Sequence, residues 1–240
     1  MTGSRPVRGG VAAHARLRSL RGMQRTASPY ALLVDWGGVL TERLDLAVRA
    51  WADKEGIDFE HYREAMRSWL SPEEQLEAEI NPIHAIERGE ITVPDFEEKL
   101  AAQMQLLDGH PVQSEGLLAR MFGSFATAHA MNALVVRARG HGIKTALLSN
   151  SWGNTYPRDG WDDMFDTVVI SGEVGLRKPE PEIFKLTCER LEVAAADCVF
   201  VDDLEINVTA AGELGMVGVL HRGYDTTADR LEELFGVPLA

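Results

Sequence analysis

The chain has 240 residues, with 24 Lys and Arg against 37 Asp and Glu, a net charge of -13 and 45% hydrophobic residues; it is long enough to bury one substantial core, or one core plus an inserted subdomain. The acidic balance argues against a general nucleic-acid-binding surface, which needs cation clusters on phosphates, and no stretch approaches the ~18 uninterrupted apolar residues of a membrane span. A soluble cytoplasmic protein, monomer or homodimer, is expected; phosphate-bearing small molecules stay open as ligands, because a local cation and a metal ion suffice to hold them.

Residues 1–29 carry Arg5, Arg8, Arg16, Arg18, Arg21 and Arg25 with no acid. This basic composition resembles a transit peptide, yet Met23 offers an alternative start, and a disordered or misassigned leader is expected; no apolar block of about 7 to 15 residues follows to make a secretory signal. Next comes Leu32-Leu33-Val34-Asp35-Trp36-Gly37-Gly38-Val39-Leu40, an apolar run that ends on a carboxylate and breaks into two glycines. It reads as a buried strand whose glycines let backbone approach an ion or ligand closely. Asp35 then stands at a strand's C-terminal edge, where open parallel sheets bind ligands: it is either a nucleophile or metal ligand, or an Asp that caps the turn.

From 42 to 130 the pattern is helical. Leu44, Ala47, Val48 and Trp51 fall at helical spacing, as do Tyr62, Ala65, Met66 and Trp69, then Phe96, Leu100 and Met104; Ser71-Pro72 and Val93-Pro94-Asp95 are helix openings. Trp51, Trp69 and Phe96 are expected in the core of this subdomain, not in a substrate cage. His61 and His129 lack metal-ligand spacing and read as surface or cap residues. Gly140-His141-Gly142-Ile143-Lys144-Thr145 lacks the Gly before Lys that a phosphate-binding P-loop needs.

Strand and helix then alternate, with strands at 144–148, 167–170, 198–201 and 217–220 and helices at 132–139, 181–190 and 206–214. This implies an α/β, Rossmann-like parallel sheet with helices on both faces, built from 30–41 and 131–240, with 42–130 as an inserted α-helical unit. Cys188 and Cys198 are the only cysteines and are expected as free thiols in a reducing compartment, Cys198 buried.

Three more polar signals stand at or after strand ends: Ser149-Asn150, Arg177-Lys178-Pro179 and Asp202-Asp203. A carboxylate, a hydroxyl, an ammonium and an acid pair on one sheet edge are the parts needed to attack a phosphoryl group, bind its oxygens and hold a magnesium ion. Without a cation, Asp35, Asp202 and Asp203 would raise one another's pKa values. Neighbours on a strand point to opposite sides, so the two acids are not equivalent as ligands; Asp202 reads equally as catalytic or as bonded to nearby backbone.

Asp35 to Val39, Ser149-Asn150, Lys178-Pro179 and Asp202-Asp203 with Asn207 resemble, in order and spacing, the four motifs of the haloacid dehalogenase (HAD) superfamily. The resemblance runs from Ala31 to about Leu220 and includes the helical insertion of that superfamily's helical-cap branch. It implies that Asp35 is the nucleophile of a Mg2+-dependent hydrolase, most simply a phosphatase acting on a small phosphomonoester. Ser149 and Lys178 would hold the phosphoryl oxygens, with Asn150 and Gly38 in the substrate site. Asp35, Asp203 and the Gly37 carbonyl would bind Mg2+, supported by Asp202 and by Asn207, which otherwise reads as a helix-opening residue.

One position departs from the family's pattern. HAD phosphatases usually place an acid/base Asp two residues after the nucleophile, where this chain has Gly37; general acid-base catalysis is worth about 10² to 10⁴ in rate. Thr41, Glu42 or Asp45 is then a candidate substitute. The alternatives are a catalytically weak member that binds a phosphorylated ligand or a protein, or a hydrolase of the dehalogenase or phosphonate type. Those types resemble Asp-x-Tyr and Asp-x-Ala with a cap lysine; Trp36-Gly37 matches neither, although Lys54 and Lys99 lie in the insertion.

Overall fold

The computed structural model of the protein describes residues 30–70, 81–153 and 155–240. The expected leader at 1–29 and the helix opening at Ser71-Pro72 lie outside the described residues. Five strands, β1 (Ala31–Val34), β2 (Lys144–Ser149), β3 (Thr167–Ile170), β4 (Cys198–Asp202) and β5 (Val217–Leu220), form one parallel sheet in the order β3-β2-β1-β4-β5. β1 is central, with Leu33 opposite Ala146 on one side and Phe200 on the other. Because both faces of a parallel sheet are covered, β1 is apolar at every position instead of alternating.

The strand side chains divide by their period of two. Leu32, Val34, Leu147, Val199 and Val201 pack with Met131, Leu134, Ala228 and Leu231 of α6 (His129–Gly140) and α11 (Tyr224–Phe235). On the other face Leu33, Ala146, Leu148 and Phe200 pack with Ile183, Phe184 and Ala211 of α9 (Pro181–Leu191) and α10 (Glu205–Glu213). Cys188 and Cys198 are buried free thiols in this second layer, their Sγ atoms 3.9 Å apart.

Between β1 and α6 run α1 (Leu44–Glu55), α2 (Phe59–Leu70), α3 (Pro82–Glu87), α4 (Val93–Ala102) and α5 (Leu117–Phe122). Their apolar stripes meet in a third cluster around Trp51, Phe96, Leu100 and Met121, with Trp69 against Phe96 at 5.9 Å. The helical-spacing reading of these aromatics is therefore correct. α4 opens on a capping box in which Thr92 and Asp95 bond each other's backbone, while buried Glu97 accepts the Gly116 and Leu118 amides and ties α4 to α5. The chain leaves and re-enters the sheet region side by side, with Thr41 bridged to Thr127 and the Ala128 amide on the Leu40 carbonyl at 3.0 Å.

The single-turn helices α7 (Trp161–Met164) and α8 (Ser171–Val174) are too short to show periodicity in a sequence. α8 separates β3 from the Lys178 loop, which the sequence reading runs on directly from the strand. Among the described residues no helix is long and apolar enough to cross a membrane.

Candidate active site

The chain goes from β1 outward through β2 and β3, then returns to the other side of β1 to form β4 and β5. Such a reversal opens a crevice at the C-terminal ends of β1 and β4. Asp35 continues β1 into it, its amide donating to the Val201 carbonyl at 2.9 Å and its Oδ1 accepting the Trp36 amide at 2.7 Å. The loop then folds back: the Leu40 and Thr41 amides both donate to the Trp36 carbonyl, and Thr41 Oγ1 accepts the Gly38 amide at 2.9 Å.

β4 delivers Asp202 and Asp203 beside Asp35, and the three carboxylates each offer an oxygen within 4.8 Å of the others. Lys178 is 1% exposed, with Nζ 2.9 Å from Asp35 Oδ1 and 2.7 Å from Asp202 Oδ2. Asn150 sets its position, accepting the Lys178 amide on Oδ1 at 2.8 Å and donating Nδ2 to the Lys178 carbonyl at 3.0 Å. Asn207, in the first turn of α10, donates Nδ2 to both Asp202 oxygens at 3.1 Å, and the Leu204 amide adds a bond of 2.8 Å. Backbone, amide and ammonium groups all converge on this one buried carboxylate, and the Leu204 bond is the backbone contact that the sequence offers as one reading of Asp202.

Burial and neighbouring charge together shift Asp35, Asp203 and Lys178. Burial pushes Asp35 up to about 7 against the pull of Lys178, with Asp202 and Asp203 adding to the rise; burial and Asp202 push Asp203 up to about 6. Burial alone would favour neutral Lys178, but Asp202 and Asp35 overcome it and hold the ammonium above its ordinary value. Three acids around one lysine leave room for a cation, and an all-carboxylate donor set suits a hard ion that prefers oxygen, such as Mg2+. The residues fit that ion.

Other side chains join without a motif to announce them. Ser149 Oγ is 2.9 Å from the Tyr156 hydroxyl, and burial, first among its causes, pushes that phenol up to about 12, so it stays neutral near pH 7. Tyr156 meets Trp36 edge-on at 4.9 Å. Glu87 of α3, raised by burial against the opposing pull of Arg177, takes a bond from the Trp152 side chain and lies 2.5 Å from Arg177 Nε. Arg88 and Glu180 form a second pair across the same junction. A carboxylate at a strand end followed by glycines announces itself locally; Glu87 with Arg177 and Arg88 with Glu180, 90 residues or more apart, do not.

The candidate substitutes for the missing acid stand elsewhere. Thr41 Oγ1 is committed to the Gly38 amide and the Glu42 carbonyl. Asp45 is paired with Arg43 at 2.6 Å and held below the usual carboxylate range by it, and Glu42 and Asp45 line a hollow that touches Asp203 and Gly38 but not Asp35. A β-carbon on Gly37 would lie 3.1 Å from Leu44 Cδ1, so the Leu44 side chain would have to give by a few tenths of an ångström to admit one. Asp35, Gly37, Asn150, Lys178, Asp203 and Asn207 instead share a cavity of about 290 Å3. Lys54 and Lys99 do not line it, and His61 sits 3.3 Å from Asp58 within α2 and the turn before it.

A sequence profile described as haloacid dehalogenase-like hydrolase matches residues 31–215. The chain belongs to that family. It is 30% identical over 159 residues to acyl-CoA dehydrogenase family member 10 of Mus musculus, which covers 63% of this chain and 15% of that protein. It is 28% identical over 155 residues to sesquiterpene phosphatase astK of Aspergillus oryzae, 62% of this chain and 77% of that one. The HAD family enzyme bt-2542 of Bacteroides thetaiotaomicron, solved with magnesium and inorganic phosphate, superposes with a TM-score of 0.61 at 23% identity, over 83% of this chain and 98% of that one. The HAD chain spans about a third or less of the length of the first curated relatives it matches. As a HAD-like hydrolase it carries the acidic cluster and buried lysine where its sheet reverses.

Proposed function

We propose that the protein is a Mg2+-dependent phosphatase that cleaves a small phosphomonoester through a phospho-Asp35 intermediate. The observation that carries this reading is the position of Lys178 Nζ, 2.9 Å from Asp35 and 2.7 Å from Asp202, which keeps a cation beside a carboxylate that must meet an anion. Asp35, Asp203 and the Gly37 carbonyl would hold Mg2+, whose charge offsets the repulsion between that carboxylate and a phosphate dianion. An Asp35 oxygen attacks phosphorus, the ester oxygen departs with its electron pair and takes a proton from water, and a second water then hydrolyses the acyl phosphate to free phosphate and Asp35. Lys178 and Ser149 bind the non-bridging oxygens, the latter with its hydroxyl oriented by Tyr156. Asn207 holds Asp202 and Asp202 holds Lys178, so the ammonium is fixed before substrate arrives. The sesquiterpene phosphatase among the relatives supports ester hydrolysis.

A second reading has its own observation in favour. Gly37 with Leu44 against it leaves no side chain at that point to protonate the leaving oxygen, which fits a weak enzyme or a binder of phosphorylated ligands. Phosphate release from phenyl phosphate, with Mg2+ and with EDTA, separates the two: metal-dependent turnover lost in Asp35→Asn establishes the phosphatase, and no release in either condition leaves the binder.

A further inference from the structure

We propose that the leaving group accepted here is apolar: the substrate class is the monophosphate of an alkyl or alkyl-aryl alcohol, an inference that rests on the phosphatase reading of Asp35. The cavity beside Asp35 is walled by side chains from five helices and the loops beside them, among them Leu44, Ile83, Met121, Phe122, Phe125 and Trp152. Trp36 stacks on Phe125 at 6.2 Å and Phe125 meets Phe122 at 5.3 Å, so the wall is a continuous ring surface beginning next to the nucleophile. Its volume, about 290 Å3, lies near the lower end of the range that holds drug-sized ligands.

Four polar side chains in the wall are already engaged with protein. Glu87 is bound by Arg177 and Trp152, Asn150 by the Lys178 main chain, Asn207 by Asp202 and Thr155 by the Gly153 carbonyl. Burial pushes the Tyr62 phenol up to about 12, which keeps that part of the wall uncharged. A sugar or nucleoside brings hydroxyl and amide groups that lose water on entry and need new partners, and desolvating them without partners is costly. Among the described residues lining the cavity, Lys178 is the sole cation. It serves the phosphoryl end, so a second phosphate or a carboxylate on the leaving group would meet apolar rings and the Glu87 anion. An alkyl or aryl body, by contrast, gains from every methylene it removes from water.

The test keeps the leaving-group chemistry constant while the apolar body grows. Phosphate release is measured with Mg2+ from phenyl, 4-ethylphenyl and 4-butylphenyl phosphate, against glucose 6-phosphate, glycerol 3-phosphate and AMP. In parallel, binding of methyl-, butyl- and hexylphosphonate is measured by calorimetry. kcat/KM should rise by up to about fourfold per added methylene until the cavity is full, the phosphonates should tighten in the same order, and Phe125→Gln should flatten both series. If no ester is hydrolysed but the phosphonates still tighten with length, the phosphatase reading fails while the apolar cavity stands as a ligand site. If length changes neither rate nor binding, or a sugar phosphate or AMP is preferred, the inference is overturned.

Discussion

Gly38 and Asp203 are in steric contact across the crevice: a β-carbon on Gly38 would come within 2.9 Å of Asp203 Cγ, at a backbone φ of +71°. The loop after Asp35 approaches Asp203, just beyond β4, this closely only because Gly38 has no side chain. Gly38→Ala should therefore combine left-handed strain with displacement of the carboxylate. Gly56 supplies the control, since its φ is +68° with nothing within 4 Å. Urea denaturation should show a loss of about 1 kcal/mol for Gly56→Ala and roughly 2–4 kcal/mol for Gly38→Ala. Equal losses would mean that Asp203 moves aside at no cost.

Asp35 makes stability depend on pH in a definite direction. A carboxyl whose folded pKa is raised from 3.8 to about 7 binds its proton more tightly in the folded chain than in the unfolded one, so its ionisation costs stability. That cost begins as pH rises past the unfolded value and is complete above the folded one. In EDTA, Asp35→Asn should melt above the parent protein near pH 8, with the gap shrinking toward about pH 4. Thermal melts across that range check it; a gap that widens on acidification reverses the sign and refutes the assignment.

Mg2+ should remove much of that cost. If Asp35 and Asp203, which each offer a carboxylate oxygen within 4.8 Å of the other, hold the ion together with the Gly37 carbonyl, a concentration about 100 times the dissociation constant adds about 2.7 kcal/mol. The melting temperature should then rise with Mg2+ and fall back with EDTA. Asp203→Asn should abolish the rise, and an undiminished rise in that variant would place the ion elsewhere.

The Glu87–Arg177 pair couples α3 to the Lys178 loop, with side-chain exposures of only 10% and 13%. Arg177→Met strands a buried carboxylate and should cost about 3–5 kcal/mol, whereas the double variant with Glu87→Leu should recover much of the loss. Chemical denaturation of the two variants measures the difference. If the double variant is as unstable as the single one, the pair acts through packing and not through charge.

The sheet and its polar edge were legible in the sequence because each rests on a local pattern. The run ending at Asp35 and the strands at 167–170 and 217–220 are short apolar segments bounded by polar or glycine residues, and they fall at the observed strands. Asp35, Asp202 and Asn207 stand at or near the ends of regular elements, so parallel topology brings them to one edge, while Lys178 reaches it from the loop between α8 and α9, where Asn150 holds its main chain. No motif marks helix α11, although Ala228 and Leu231 lie at helical spacing. Helical periodicity tells which stripe of α1 to α5 is apolar, but not which part of that stripe meets a neighbouring helix and which meets the cavity. Only tertiary packing put Leu44 against Gly37, seated Glu87 on Arg177, and brought Tyr156 to Ser149. Those pairings depend on how separate helices and loops are placed in space, a relation that local propensity does not encode.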